Sequence, residues 1–71
     1  MNIKIIFGKA IKEYRTEKGV SQEKLAEICG LHRTYISEVE RGVRNVSLIN
    51  IQKICEALDI KISTVFKHIH L

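Results

Sequence analysis

The sequence predicts an all-α fold of five short helices, and three observations lead there. Proline is absent and glycine occurs only four times, so the turns that a meander of strands needs are scarce. Apolar residues recur at intervals of three and four through most of the chain instead of alternating. Ser21 and Ser47 stand where helix N-caps are wanted, and Gly19, Gly30 and Gly42 stand where helices should stop.

Taken in order, the first helix runs from about Ile3 to Lys18, with Phe7, Ile11 and Tyr14 on one stripe and Gly8 tolerated early in it. Arg15 follows Ile11 by four residues, which sets a charge at the edge of the buried face. Ser21 then caps a second helix, with Lys24 where a capping-box glutamate would stand and Leu25, Ala26, Ile28 and Cys29 facing inward. Ala26 is read as a point where another helix crosses closely. Gly30 turns the chain and Leu31 plugs the corner. A third helix spans His32 or Arg33 to Arg41. Its inner side is Ile36 and Val39, continued by Val43; its outer side is Arg33, Thr34, Ser37, Glu38 and Arg41. After the loop VRNV, Ser47 caps a fourth helix with Leu48, Ile51, Ile54, Cys55 and Leu58 as its inner stripe, ended by Asp59. A short fifth helix runs from 61–63 to His68.

Glu40 lies four residues after Ile36 and so points inward, where a carboxylate needs a partner. Arg15 is the inward-facing cation of the first helix, so the two are expected to pair and tie the first helix to the third. Two charges left apart at the rim is the alternative.

Seventy-one residues amount to one small domain, 1–71, with 45% apolar and 28% charged residues. No apolar run approaches the ~20 residues of a membrane span, and MNIKIIFGK is too short and too broken by lysine for a secretory signal, so a cytoplasmic protein without a membrane partner is expected. The net charge of +4 raises the odds of a polyanionic partner but equally fits a solvated basic surface. Its distribution adds a little: Glu13, Glu17, Glu23 and Glu27 cluster early, and Arg33, Arg41 and Arg44 lie together downstream. Cys29 and Cys55 occupy apolar helical positions, and with no Cys-x2-Cys or His-x3-His spacing they read as reduced, buried thiols; neither a metal nor any other cofactor is expected. No nucleophile–base constellation suggests an enzyme.

The series Arg15, Gly19, Ser21, Gln22, Leu25, Ala26, Gly30, Leu31, then Ile36, Val39, Glu40, Arg41 and Gly42, with ICEAL at 54–58, resembles the lambda-repressor/Cro-like (XRE-type) helix-turn-helix transcriptional regulators over nearly the whole chain. The run RTYISEVERGVRNVSL resembles the controller proteins of restriction–modification systems. The resemblance implies a lambda-repressor-like domain whose second and third helices form the helix-turn-helix, with the recognition helix 32–41 in the major groove of double-stranded DNA. It assigns Arg33 and Thr34, then Ser37 and Glu38, to base edges, with Arg33 suited to a bidentate contact to guanine. Glu38 can accept from a cytosine amine or repel wrong sites. Gln22 would bind a phosphate and brace the start of the third helix, and Tyr35, Arg44, Asn45 and Ser47 would anchor phosphates. Tyr35 packed over the second helix, and Arg41 capping the third, remain open alternatives. His32 departs from the serine or aspartate common before the recognition helix, and Lys61 from the small polar cap before the fifth.

A single short helix reads too few base pairs, so a homodimer on a palindromic operator is expected. Ile60 and Val65 are assigned to the core, and Ile62, Phe66 and Ile69 to the partner copy; one core holding all five is the alternative. Without a ligand-sensing domain, regulation would follow concentration, with RNA polymerase recruited or blocked according to operator position. A phage Cro-type repressor, an antitoxin, or a protein-interaction module of the same fold are the other readings.

Overall fold

A computed structural model describes residues 2–67. Ile69, and the pair His68 and His70, lie outside them. The chain forms α1 (Ile3–Glu17), α2 (Gln22–Cys29), α3 (Arg33–Glu40), α4 (Leu48–Ala57) and α5 (Ile62–Phe66), with no strand among the described residues. The order and number of helices are those the periodicity calls for.

Local chemistry sets the boundaries. Asn2 caps α1 by accepting from the N–H groups of Lys4 and Ile5, at 3.1 and 3.4 Å. The Ser21 hydroxyl accepts from the Lys24 N–H at 3.0 Å, and the Ser47 hydroxyl from the Asn50 N–H at 3.1 Å. His32 and Lys61 precede α3 and α5 without any side-chain cap, so those two helices begin on backbone alone. Gly30 closes α2 at φ 70°, and this left-handed residue lets two eight-residue helices meet at a sharp corner.

Ile11, Leu25, Ile36, Val39, Ile54, Cys55 and Leu58 are fully buried, with Phe7, Ala26, Cys29 and Val65 almost so. α3 lies against α1 and α2, α2 against α4, and α5 closes on α1 and α4. Burial pushes the pKa of both thiols upward, Cys29 against a smaller downward pull from Lys53, so the two cysteines are packing residues.

Several inward assignments are corrected. Val43 is 58% exposed, because α3 stops at Glu40 and Gly42, at φ 75°, redirects the chain before the helical period reaches it. Ile28 is 52% exposed: the buried stripe of α2 is Leu25, Ala26 and Cys29, and Ile28 lies roughly 100° from its centre. Leu48 opens α4 at 84% exposure, since the neighbouring helices cover only the later turns, and Ile51 is half-buried. Ile60 is half-buried against the core.

Gly8 needs a different explanation from tolerance. A Cβ there would press on the Val39 carbonyl oxygen and stand 2.9 Å from that of Glu40. At Gly42 a Cβ would stand 2.7 Å from the Ile5 Cα. Two glycines therefore set how closely α1 and the end of α3 approach.

Candidate nucleic-acid interface

The inner side of α3 is fixed before its outer side matters. Arg15 Nε donates to Glu40 Oε2 at 2.6 Å, and a second guanidinium nitrogen donates to Oε1 at 3.1 Å. The Arg15 Nη1 donates to the Val20 carbonyl at 2.8 Å, which binds the α1–α2 connection into the same unit. Gln22 Nε2 adds a bond to Glu40 Oε1 at 3.0 Å. With side-chain exposures of 13% for Arg15 and 2% for Glu40, this is a buried bidentate pair whose lone pairs are satisfied.

That geometry revises the reading of Gln22. Its amide reaches the last residue of α3 and braces the helix there, not at its first turn. The side chain is half-buried at the start of α2, and its link to the recognition helix runs through the glutamate.

On the opposite side, Arg33 and Thr34 open α3 and are exposed, as is Arg41 just past its end. Ser37 and Glu38, one turn on, are half-buried. Among the described residues Arg41 makes no side-chain hydrogen bond. Asn45 is exposed, and Ser47 keeps an exposed hydroxyl although it caps α4.

Four residues form a linked surface unit. The Arg44 guanidinium lies over the Tyr35 ring, 5.0 Å from its centroid, and its Nε donates to Glu38 Oε1 at 2.9 Å. The Tyr35 hydroxyl accepts from Asn50 Nδ2 at 3.1 Å, which ties the recognition helix to α4. Tyr35 therefore belongs to this unit while its half-buried ring also packs against the core. Asn50 had no signal in the sequence beyond its place in the first turn of α4.

Three of the exposed apolar side chains gather elsewhere. Leu48, Ile49 and Ile62 are 84%, 65% and 43% exposed and flank one groove with Phe66. Phe66 itself is half-buried, its ring stacked on that of Phe7 with centroids 5.6 Å apart.

A helix begun by exposed arginine and threonine, braced from behind by a buried ion pair and preceded by a glycine corner, is the arrangement of a helix-turn-helix protein. The profile of the helix-turn-helix family matches residues 11–65, and the chain belongs to that family. Among individual relatives, it is 56% identical over 61 residues to the control protein C.BamHI of Bacillus amyloliquefaciens, spanning 84% of this chain and 75% of that one. Its structure superimposes with a TM-score of 0.89 on the restriction–modification controller protein C.AhdI from Aeromonas hydrophila, at 50% identity over 93% of this chain and 100% of the other. It also matches the biofilm master regulator SinR in complex with DNA, with a TM-score of 0.79 and 38% identity over 84% of this chain and 97% of that one.

Proposed function

We propose that this protein is a sequence-specific transcriptional regulator that binds double-stranded DNA as a homodimer and serves as the controller of a restriction–modification system. The observation that carries the proposal is the uncovered outer side of α3: Arg33 and Thr34 are exposed at its N-terminus while Ile36, Val39 and Glu40 anchor its inner side. A helix of that length fits the major groove, and exposed arginine and threonine there can read guanine and the thymine methyl group. Likeness to C.AhdI, a restriction–modification controller protein, and to the control protein C.BamHI supports the narrower assignment.

Arg33, Thr34 and Ser37 make the base contacts, joined by Glu38; Tyr35, Arg44, Asn45 and Ser47 face the phosphates. Gln22 reaches a phosphate only from its bonded position beside Glu40. Homodimerisation covers the apolar groove at Leu48, Ile49, Ile62 and Phe66, which adds the first turn of α4 to the surface expected from α5. RNA polymerase is the further partner, engaged or excluded by operator position. The protein works in the cytoplasm and performs no chemistry on the DNA.

Selection of bound duplexes from a random-sequence pool tests this. The expected result is a palindrome with half-sites roughly 34 Å apart, lost or relaxed at one position by Arg33→Ala. Affinity should fall with salt by a log–log slope of ~0.9 per phosphate contacted. Recovery of random sequence, or salt-independent binding, overturns the function. Light scattering that shows a monomer at tens of micromolar overturns the dimer.

A further inference from the structure

Glu38 and Arg44 form a surface ion pair between α3 and the loop that follows it. α3 ends at Glu40, so Glu38 sits in its last turn, where the helix dipole disfavours a carboxylate. No basic residue of α3 stands in that turn to offset it, and the compensating cation arrives from the following loop. Arg44 folds back across Tyr35 to reach it. Tyr35 in turn is held by Asn50, so the arginine has a fixed platform as well as a fixed acceptor. The guanidinium thus forms the far wall of a shallow groove whose other sides are Gly30 and His32 at the α2–α3 corner and Thr34 and Glu38 on α3. A charge suited to phosphate is spent on a carboxylate that is suited to a base edge.

The geometry points to Glu38 as a specificity-determining residue that acts by latching Arg44. In the free protein, and on DNA of the wrong sequence, the carboxylate holds the guanidinium over Tyr35 and withholds one phosphate contact. A base step that presents an exocyclic amine to Glu38 takes over the carboxylate and frees Arg44 for the backbone. Base recognition and phosphate contact then rise together, which widens the gap between specific and non-specific binding. The exchange is feasible because the pair is solvent-accessible, with side-chain exposures of 29% for Glu38 and 50% for Arg44, and exposed pairs of this kind are weak. The inference rests on the DNA-binding reading above and assigns a division of labour within that surface.

A double-mutant cycle tests it, using a duplex selected from the random pool and a scrambled duplex of the same composition, each titrated across a salt series. Glu38→Ala should tighten binding to the scrambled duplex, raise its salt slope by about 0.9, the value of one phosphate, and lower the specificity ratio roughly tenfold. On the selected duplex the slope should not change, because Arg44 is already released there. In an Arg44→Ala background, Glu38→Ala should leave the scrambled-duplex slope where it was. Equal effects of Glu38→Ala in both backgrounds would mean that only a repulsive charge was removed, and the latch is then wrong. An equal rise in slope on both duplexes also overturns it. If the unaltered protein binds neither duplex in a salt-dependent way, the DNA-binding reading itself fails and takes the latch with it. Thermal melts of each variant check that the fold is retained.

Discussion

Glu38 and Glu40 stand two residues apart on one short helix, and each is bonded to an arginine, yet the two pairs have opposite characters. Glu40 is held by two donors of Arg15 and one of Gln22, with its side chain 2% exposed. Glu38 is held by one nitrogen of Arg44, with its side chain 29% exposed. The first pair joins three segments and cannot be exchanged for water without leaving a charge buried. The second can be exchanged for water, for a base or for a phosphate. Residue type does not separate structure from function on this helix; the side of the helix does.

The largest expected effect comes from breaking the inner pair. Arg15→Met should destabilise the fold by about 3–5 kcal/mol in urea denaturation, because Glu40 is left buried without its cation. A loss below about 1 kcal/mol would show that the inner pair is no different in kind from the outer one. Next comes Gly8→Ala, expected to cost about 1–3 kcal/mol, since the added methyl meets backbone carbonyls that cannot rotate away. A neutral result would mean that α1 and α3 can separate without penalty.

Glu38→Ala should change stability by less than about 1 kcal/mol while altering DNA binding as described above. Repeating the melts of both variants in 1 M salt sharpens the contrast. The Debye length there is about 3 Å, so any cost of losing the outer pair should vanish while the cost of losing the inner pair persists.

The smallest effect concerns the thiols packed on the buried side. Burial raises the pKa of Cys29 and Cys55 above the ordinary 9.0. Below that value both are protonated in folded and unfolded chains alike, and they add no pH dependence. Above it the unfolded chain gives up those protons first, so stability should decline as pH rises. Thiol-labelling kinetics at pH 8 should accordingly track unfolding. Immediate labelling of the native protein would place the cysteines at the surface.

Much of this was legible along the chain. Five helices, two serine caps and the glycine corner follow from spacing and from the few residues able to cap or turn. Arg15 and Glu40 could be matched because each interrupts an otherwise apolar stripe, and a charge on such a stripe has few places to go. Leu48, Ile28 and Val43 are exposed for separate reasons: Leu48 stands beyond the reach of the neighbouring helices, Ile28 lies off the buried stripe of α2, and Val43 follows the end of α3. Periodicity alone says neither how wide a buried stripe is nor how far a neighbouring helix extends to cover it.

Gly8 shows a second gap. In isolation it is a weak helix former; only the approach of α3 explains why nothing larger fits. Asn50 and Arg44 illustrate a third. A polar residue at a helix start or in a loop has many possible partners, and the sequence does not rank them.

Local propensity and periodic hydrophobicity were thus sufficient for the helices, their order and the side of α3 that stays out of the core, since these depend on residues within a few positions of one another. The closeness of α1 to α3, the turn of Gln22 toward Glu40 and the capture of Arg44 by Glu38 and Tyr35 came from packing. Each depends on where separate segments meet in space, and such meetings are set by the volumes and charges of the whole core at once.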